Sequence, residues 1–259
     1  MTKNKKIKKT IKISLIFIAM LLLLFAASFI PTLWLKTSDM HEFEGKYINV
    51  YYEKEKDAAE DVFNLAEQKA ESLSSKLGFK SKQDVNIYIY DSQYTMQTKK
   101  YGMIVPLFGL DWYIGDNIGT NVILTSPANP GKVHDYENNK NAALHEMVHA
   151  YVSVLNPDIQ LWLTEGVALY LTNGEPFSKE YLNSMNIPSF DDIKTKNPMA
   201  FSDMGGYNFA QTYIEYLDKT YGWENVLKLI KTENYDSCFG KSEKDIYNEW
   251  VKYIQNYEY

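Results

Sequence analysis

Beyond the N-terminal region, apolar residues recur with two periods along the chain, and each period predicts a different kind of element. Alternating apolar and polar positions predict β-strands at residues 46–52 and 85–90. Two short apolar runs at 110–114 and 121–125 predict two more strands, with a Gly-Asp-Asn turn signal at 115–117 where their connection begins. The first half of the chain is therefore predicted to contain a sheet.

Apolar positions three and four residues apart predict helices around this sheet region. The first such segments are 55–77, which ends before the C-cap candidate Gly78, and 92–101. The later helical segments are 206–219, 223–232 and 242–256. The segments without either period, which are predicted to be loops, are 173–176 and 187–204. Strands followed by helices in one chain indicate an α+β fold.

A long apolar stretch at residues 13–30 follows a basic N-terminus. It is 18 residues long, enough to cross a membrane as a helix. Six lysines and no acidic residues precede it, which sets the N-terminus inside the cell. Residues 1–36 are therefore predicted to be a cytoplasmic basic stub and a transmembrane anchor, and residues 37–45 a polar linker. The alternative is a signal peptide cleaved near a poor site at 26–28, which would make the protein secreted. Either way, the rest lies outside the cytoplasm.

The portion that follows the anchor is acidic. Of the 27 lysines, seven precede residue 37, which leaves 20 lysines against 33 acidic residues and a net charge of −13 in the remainder. A surface of this charge repels nucleic acid and favours neutral or cationic polypeptides. Cys238 is the only cysteine, so no internal disulfide can form. Stability must therefore come from the apolar core.

The sequence His-Glu-Met-Val-His at 145–149 carries the candidate chemistry. The chain has four histidines, and two of them, His145 and His149, stand four residues apart, which places both imidazoles on one face of a helix. Glu146 lies about 100° further around the helix axis, beside a metal rather than on it. This HExxH spacing is typical of a zinc site in which the glutamate acts as a general base on a water molecule.

Glu165 is the candidate for a third metal ligand. The Asn-Pro pair at 156–157 ends the first helix and allows the chain to reverse. A second helix that begins near Leu161 then returns Glu165 to the metal. Two histidines and one glutamate form a known catalytic set that leaves a fourth position open. The sequence thus predicts Zn²⁺ bound by His145, His149 and Glu165.

These segments resemble the gluzincin metallopeptidases, the thermolysin-like clan of zinc enzymes whose third ligand is a glutamate on a separate helix. With Trp-Leu-Thr-Glu-Gly-Val-Ala at 162–168, the chain is most similar to the peptidase MA-like family, whose second helix typically reads Trp-Leu-x-Glu-Gly-x-Ala. Residues 206–213, which run into Tyr-Gly at 221–222, resemble that family's downstream segment. The resemblance covers roughly residues 46–232. It departs at Leu169, where some gluzincins have an acidic residue that supports the metal ligands.

The resemblance implies a thermolysin-like zincin fold for residues 46–259. In that fold an upper half of mixed sheet and helices, about 46–155, lies over the HExxH helix, and a mainly helical lower half, about 156–259, closes the cleft. It also implies that an edge strand near the zinc helix pairs with an extended substrate. Residues 121–125 are the candidate for this strand, and an ordinary inner strand is the alternative.

The implied activity is zinc-dependent hydrolysis of peptide bonds by a membrane-anchored enzyme, with Glu146 as the general base. Tyr207 matches the family's tyrosine and is the candidate donor to the oxyanion that forms in the reaction. His134, in the loop before the zinc helix, is the weaker candidate for that role. Two alternatives remain open. One is a membrane-anchored scaffold that keeps zinc structurally, and the other is a zinc hydrolase of a non-peptide amide in the cell wall.

Overall fold

The structure, a computed structural model, describes residues 3–172, 174 and 177–256. Its strands are β1 (His41–Glu44), β2 (Ile48–Tyr52), β3 (Val85–Tyr90), β4 (Gly115–Ile118) and β5 (Asn121–Thr125). Its α-helices are α1 (Lys3–Ala27), α2 (Lys56–Lys76), α3 (Gln93–Tyr101), α4 (Tyr136–Leu155), α5 (Leu161–Thr172), α6 (Lys179–Ser184), α7 (Pro198–Asp203), α8 (Gly206–Tyr221), α9 (Trp223–Thr232), α10 (Tyr235–Phe239) and α11 (Glu243–Gln255). The α+β class expected from the sequence is confirmed.

The strands form one mixed sheet in the order β1-β2-β3-β5-β4. The three inner strands run parallel, and the outer strands β1 and β4 are antiparallel to their neighbours. On one face, alternate residues such as Ile48 and Val50 are fully buried in the main apolar core, where α2 and α4 cover the sheet. On the other face, Tyr90 and Ile123 of the sheet form a smaller apolar cluster with Met96 of α3. Helix α4, which carries both candidate histidines, is therefore held against the sheet.

The upper edge of the sheet differs from the prediction. Residues 110–114 do not form a strand, and the predicted turn that begins at Gly115 is the edge strand β4 instead. The side-chain amide of Gln97 donates to the carbonyl oxygens of Leu110 and Tyr113 at 2.7 and 3.0 Å. A side chain thus satisfies carbonyls that a neighbouring strand would otherwise bind. From this loop, the side chains of Leu110 and Tyr113 pack into the smaller cluster.

Two segments predicted to lack regular structure contain short elements. The linker predicted for residues 37–45 contains β1, where the ring of Phe43 stacks on Tyr52 of β2 at 5.0 Å. The loop predicted for residues 187–204 contains α7, whose N-terminus is capped by the side chain of Asn197. In both cases a contact with a distant or capping residue, rather than local periodicity, decides the structure.

The longer helices agree closely with the prediction. Helix α9 coincides with the predicted segment 223–232, and α8 runs two residues beyond the predicted end at 219. The predicted helix at 55–77 is one residue shorter at each end. The predicted loop at 173–176 lies outside the described residues, apart from Gly174.

Helix α1 is apolar over most of its length and is exposed. Segment Ile7–Leu33 is long and apolar enough to cross a membrane, and only 6% of its most apolar window is buried. A membrane span and a signal sequence both have this length and composition. The helix ends at Ala27, and a 3-10 turn at Ile30–Leu33 then packs against α3.

Candidate metal centre and cleft

Three candidate ligand atoms converge between α4 and α5. The Nε2 atoms of His145 and His149 lie 2.9 Å apart. The Oε2 atom of Glu165 lies 3.2 Å from the first of these nitrogens and 3.5 Å from the second. Among the described residues, this is the group of histidine and acidic side chains arranged so that it could hold a metal ion. The structure thus brings together all three ligands predicted from the sequence.

Local sequence signals set the position of α4. Its N-cap is Asp135, whose side chain accepts a hydrogen bond from the backbone N–H of Asn138 at 2.8 Å. The side chain of Asn138 accepts from the Asp135 N–H in return, at 3.2 Å, which completes a capping box. The helix ends at Leu155, directly before the Asn-Pro pair, as predicted.

Helix α5 is fixed by a close approach to α8. A Cβ atom at Gly166 would lie 2.5 Å from the carbonyl oxygen of Ala210 and 2.8 Å from a side-chain carbon of Ile214, so only glycine allows this contact. Gly166 directly follows the candidate ligand Glu165. The close packing therefore places the carboxylate relative to the lower helices as well as to α4.

Thr164 is a functional candidate that the sequence reasoning missed. Its hydroxyl oxygen lies 2.8 Å from Nδ1 of His149. Metal-binding histidines usually have a partner on the second ring nitrogen, which fixes the tautomer and the ring orientation. Because Nδ1 is bound to Thr164, the Nε2 atom of His149 faces Nε2 of His145 and the carboxylate of Glu165. The sequence signal for this role is the position of Thr164 directly before the candidate ligand Glu165.

The carboxylate of Glu165 is ionised. Burial alone would raise its pKa, but the neighbouring His149 and His145 imidazoles outweigh burial and hold the pKa of Glu165 well below its ordinary value. An ionised carboxylate is the form that binds a metal ion. Glu165 is therefore suited to the ligand role.

Glu146 follows His145 on α4, and its electrostatic environment is different. Burial raises the pKa of the Glu146 carboxyl to about 8, against the opposing effect of His145, and the negative charge of Asp116 adds to the increase. The edge strand packs closely on this side chain, because a Cβ atom at Gly115 would lie 3.1 Å from Cγ of Glu146. The two glutamates of the site thus differ in their pKa values: that of Glu146 is raised, so it binds a proton readily, and that of Glu165 is lowered, so it is ionised.

A cleft of about 1160 Å³ opens onto the three candidate ligands and Glu146. Residues from strand β4 and from helices α7 and α8 line it. Asp116 of β4 accepts a hydrogen bond from the Tyr113 hydroxyl and forms a 2.6 Å ion pair with Lys100. The Lys100 ammonium also donates to the Asn117 carbonyl at 3.1 Å. The Gly115 end of β4 is the part that packs against Glu146.

The strand at 121–125, the candidate edge strand, lies inside the sheet. β5 has β3 on one side and β4 on the other. Within the part of the chain that the structure describes, β4 has a partner strand on one side only. The edge beside the candidate metal centre is therefore β4, and residues 121–125 form an ordinary inner strand.

Tyr207 and His134 both line the cleft. Tyr207 lies in the first turn of α8, where its ring packs edge-on against Phe201 at 4.9 Å. Burial raises the pKa of Tyr207, and the charges of Glu165 and Glu146 raise it further, so its hydroxyl keeps its proton. The Nε2 atom of His134 is already 2.8 Å from the carbonyl oxygen of Trp112. Tyr207 is therefore the better placed of the two donors.

Comparisons with known proteins add no family assignment. A scan against models of protein families finds no match to this chain. A search of curated proteins finds no significantly similar sequence. The resemblance to gluzincins therefore rests on the sequence motifs alone.

Proposed function

We propose that this protein is a membrane-anchored zinc peptidase of the gluzincin type, with its catalytic part outside the cytoplasm. The observation that carries the proposal is the convergence of His145, His149 and Glu165 at one point of a large cleft, with Glu146 beside them. A scaffold protein that keeps zinc structurally needs neither an open cleft at the metal nor a proton-binding carboxyl next to it.

The three donors fit zinc. Ligand atoms at about 2.0–2.1 Å from a tetrahedral zinc ion lie about 3.3 Å from one another. The observed separations are 2.9, 3.2 and 3.5 Å. His149 is already oriented by Thr164, so the donor set needs little reorganisation. Zinc bound by these residues would lower the pKa of a water molecule to about 7 and polarise the scissile carbonyl.

Glu146 and Tyr207 supply the proton transfer and the hydrogen bond that the reaction needs. Glu146 accepts the proton of the attacking water and delivers it to the leaving amine. The burial that raises its pKa makes the deprotonated carboxylate a stronger base than that of an ordinary glutamate, and once protonated the same group acts as the acid. Tyr207 stays protonated and donates a hydrogen bond to the negative charge that develops on the carbonyl oxygen.

An extended polypeptide fits this cleft better than a small amide does. Strand β4 lines the cleft and has backbone groups without a partner strand on its outer side, within the described residues. Such an edge can add a peptide as a further strand through main-chain hydrogen bonds. A non-peptide amide of the cell wall would not use these groups. The thermolysin-like arrangement, with the sheet above α4 and the helices below, is part of the same proposal.

Helix α1 supports the proposed location. Its length and composition allow it to cross a membrane, and the lysines that precede the apolar stretch favour an N-terminus inside the cell. The sheet and the lower helices then lie on the outer side.

The proposal is tested with the full-length protein purified in a mild detergent and a library of peptides. We expect cleavage products, their loss on addition of a chelator, and recovery when zinc is restored. If the protein binds zinc but cuts no peptide, and instead releases fragments from purified cell wall, the second hydrolase class is correct. If zinc binds and no substrate of either class turns over, the scaffold alternative is correct.

A further inference from the structure

An exposed apolar surface lies where the N-terminal helix meets the rest of the protein. It consists of six side chains from two segments, each between 50% and 82% exposed. These side chains are Ile30, Leu33, Trp34, Met103, Leu107 and Phe108. Single exposed apolar residues are common on soluble proteins, but a group of large ones from two adjoining segments marks an interaction site.

The two segments are held together by specific contacts. The backbone N–H of Met103 donates to the carbonyl oxygen of Ser28 at 2.8 Å. The ammonium of Lys99, a largely buried residue, donates to the carbonyl oxygen of Trp34 at 2.9 Å. Gly102 has a positive φ of 70°, and a Cβ atom there would lie 2.6 Å from the Ser28 oxygen. The segment 102–108 is thus fixed against the end of α1.

The length of α1 sets the level of this surface relative to a bilayer. The lysines of α1 end at Lys12, and from Ile13 to Ala27 the helix is about 21 Å long at 1.5 Å per residue, which is less than the thickness of the hydrocarbon core, about 30 Å. Ser28 therefore lies no further out than the outer boundary of that core, and Met103, whose N–H donates to the Ser28 carbonyl oxygen, lies at the same level. The indole of Trp34 suits the interface region that follows.

We propose that this apolar surface enters the outer interface of the same bilayer that α1 crosses. The occupant of the surface is lipid, because the surface is continuous with a helix whose own surroundings are lipid. The protein then has two membrane contacts, and its cleft is held at a fixed height instead of moving freely at the end of a linker. This inference rests on the membrane anchoring in the proposed function, and it does not require peptidase activity.

The contact has a consequence for the substrate. The centroid of the Tyr101 ring lies 6.3 Å from that of Phe108 in the apolar surface and 5.5 Å from that of Tyr113. Tyr101 and Tyr113 also line the cleft, as does the half-exposed Trp112. The upper rim of the cleft thus begins where the apolar surface ends. The substrates that reach it best are polypeptides that are themselves held in or on the membrane, cut in the segment just outside the bilayer.

Lipid contact can be measured directly on the full-length protein. Leu107→Cys is labelled with an environment-sensitive bimane dye and reconstituted into phosphatidylcholine–phosphatidylglycerol vesicles, with and without lipids that carry a nitroxide quencher near the headgroup. The matched control is Met199→Cys, an apolar residue that is 60% exposed in α7, and the native chain, whose only cysteine is buried, gives the labelling background. We expect blue-shifted emission and strong quenching at position 107 only. Equal quenching at both positions, or none at 107, overturns the proposal.

The substrate consequence needs a second measurement. The double variant Leu107→Glu, Phe108→Glu is compared with Met199→Glu on one peptide, either free in solution or coupled to a lipid in the vesicles. We expect the double variant to lose at least tenfold in rate on the tethered peptide, and both variants to match the native rate on the free peptide. Unchanged cleavage of the tethered peptide overturns the substrate class. If the native chain cuts neither peptide, the peptidase proposal fails, while the quenching result still decides the membrane contact.

Discussion

The pair of helices that holds the candidate ligands and the upper rim of the cleft are built in different ways. In α4 and α5 the functional residues lie at helical spacing within short segments, and caps and breaks in the same segments set the boundaries. In the rim, which runs from residue 110 to 118, the backbone is shaped by side chains from α3 and by the edge of the sheet. The first kind of region can be predicted from local sequence, and the second cannot.

The difference matters because the two regions have different tasks in the proposed enzyme. The helix pair holds the chemistry, where the donor atoms must lie within a few tenths of an ångström of fixed positions. The rim contacts the substrate and, through Tyr101, the apolar surface near the membrane. The predictions below test whether the helix pair alone determines metal binding and whether the rim depends on its distant contacts.

The largest expected effect is the removal of a ligand. His149→Ala should reduce bound zinc from about one ion per chain to almost none, because two protein ligands hold the ion far less tightly than three, and Glu165→Ala should do the same. His134→Ala is the matched control, since His134 lines the same cleft outside the ligand cluster. Metal analysis of the purified variants checks this. Full zinc occupancy in Glu165→Ala would remove that residue from the site.

Tyr207→Phe should slow cleavage by about 10²–10³, the usual value of one donor to an oxyanion, with zinc content unchanged. The control is Tyr170→Phe on α5, the helix that also carries Glu165. It removes a hydroxyl that donates to the carboxylate of Asp218 at 2.9 Å. Rate measurements on one peptide compare the two variants. Equal rates for Tyr207→Phe and the native chain would exclude the tyrosine as a donor.

Thr164→Val should weaken zinc binding by about 10–100-fold, because His149 loses the partner that fixes its ring. Thr172→Val is the matched change on α5, where the hydroxyl donates to the carbonyl oxygen of Ala168 within the helix at 2.7 Å. Competition with a chelator of known affinity gives both values. Equal affinities for the two variants would show that Thr164 does not orient the ligand.

Gln97→Leu should disturb the rim and spare the metal site. The buried amide of Gln97 donates to two rim carbonyls that keep Gln93 as a second donor, at 3.4 and 3.1 Å, so we expect a cost of about 0.5–1.5 kcal/mol for each hydrogen bond lost. Gln68→Leu, at an exposed position of α2, should have almost no effect on unfolding. The free energy of unfolding from urea titration measures the difference. Loss of zinc in Gln97→Leu would show that the two regions are not separable.

The helix pair could be predicted from the sequence to a greater extent than the rim. Helix α4 with its end before Pro157 could be predicted, and so could α5, which returns Glu165. Capping, breaking and spacing are properties of neighbouring residues. The edge strand at 115–118 could not, because its Gly-Asp-Asn sequence is typical of turns and its strand conformation comes from pairing with β5. Thr164 was missed for a related reason, since a hydroxyl becomes a partner only when another helix presents an imidazole to it.

The most direct test of the account combines zinc content and turnover in Glu146→Gln. Glu146 is beside the ligand cluster and outside it, so the variant should keep about one zinc per chain and nearly the native thermal stability. It removes the proposed base, and positioned acid–base groups are worth about 10²–10⁴ in rate. Because one carboxyl serves two proton transfers here, we expect a loss at or beyond the upper end of that range. Equal cleavage rates for the variant and the native chain, on a substrate that a chelator protects, would contradict the proposed mechanism.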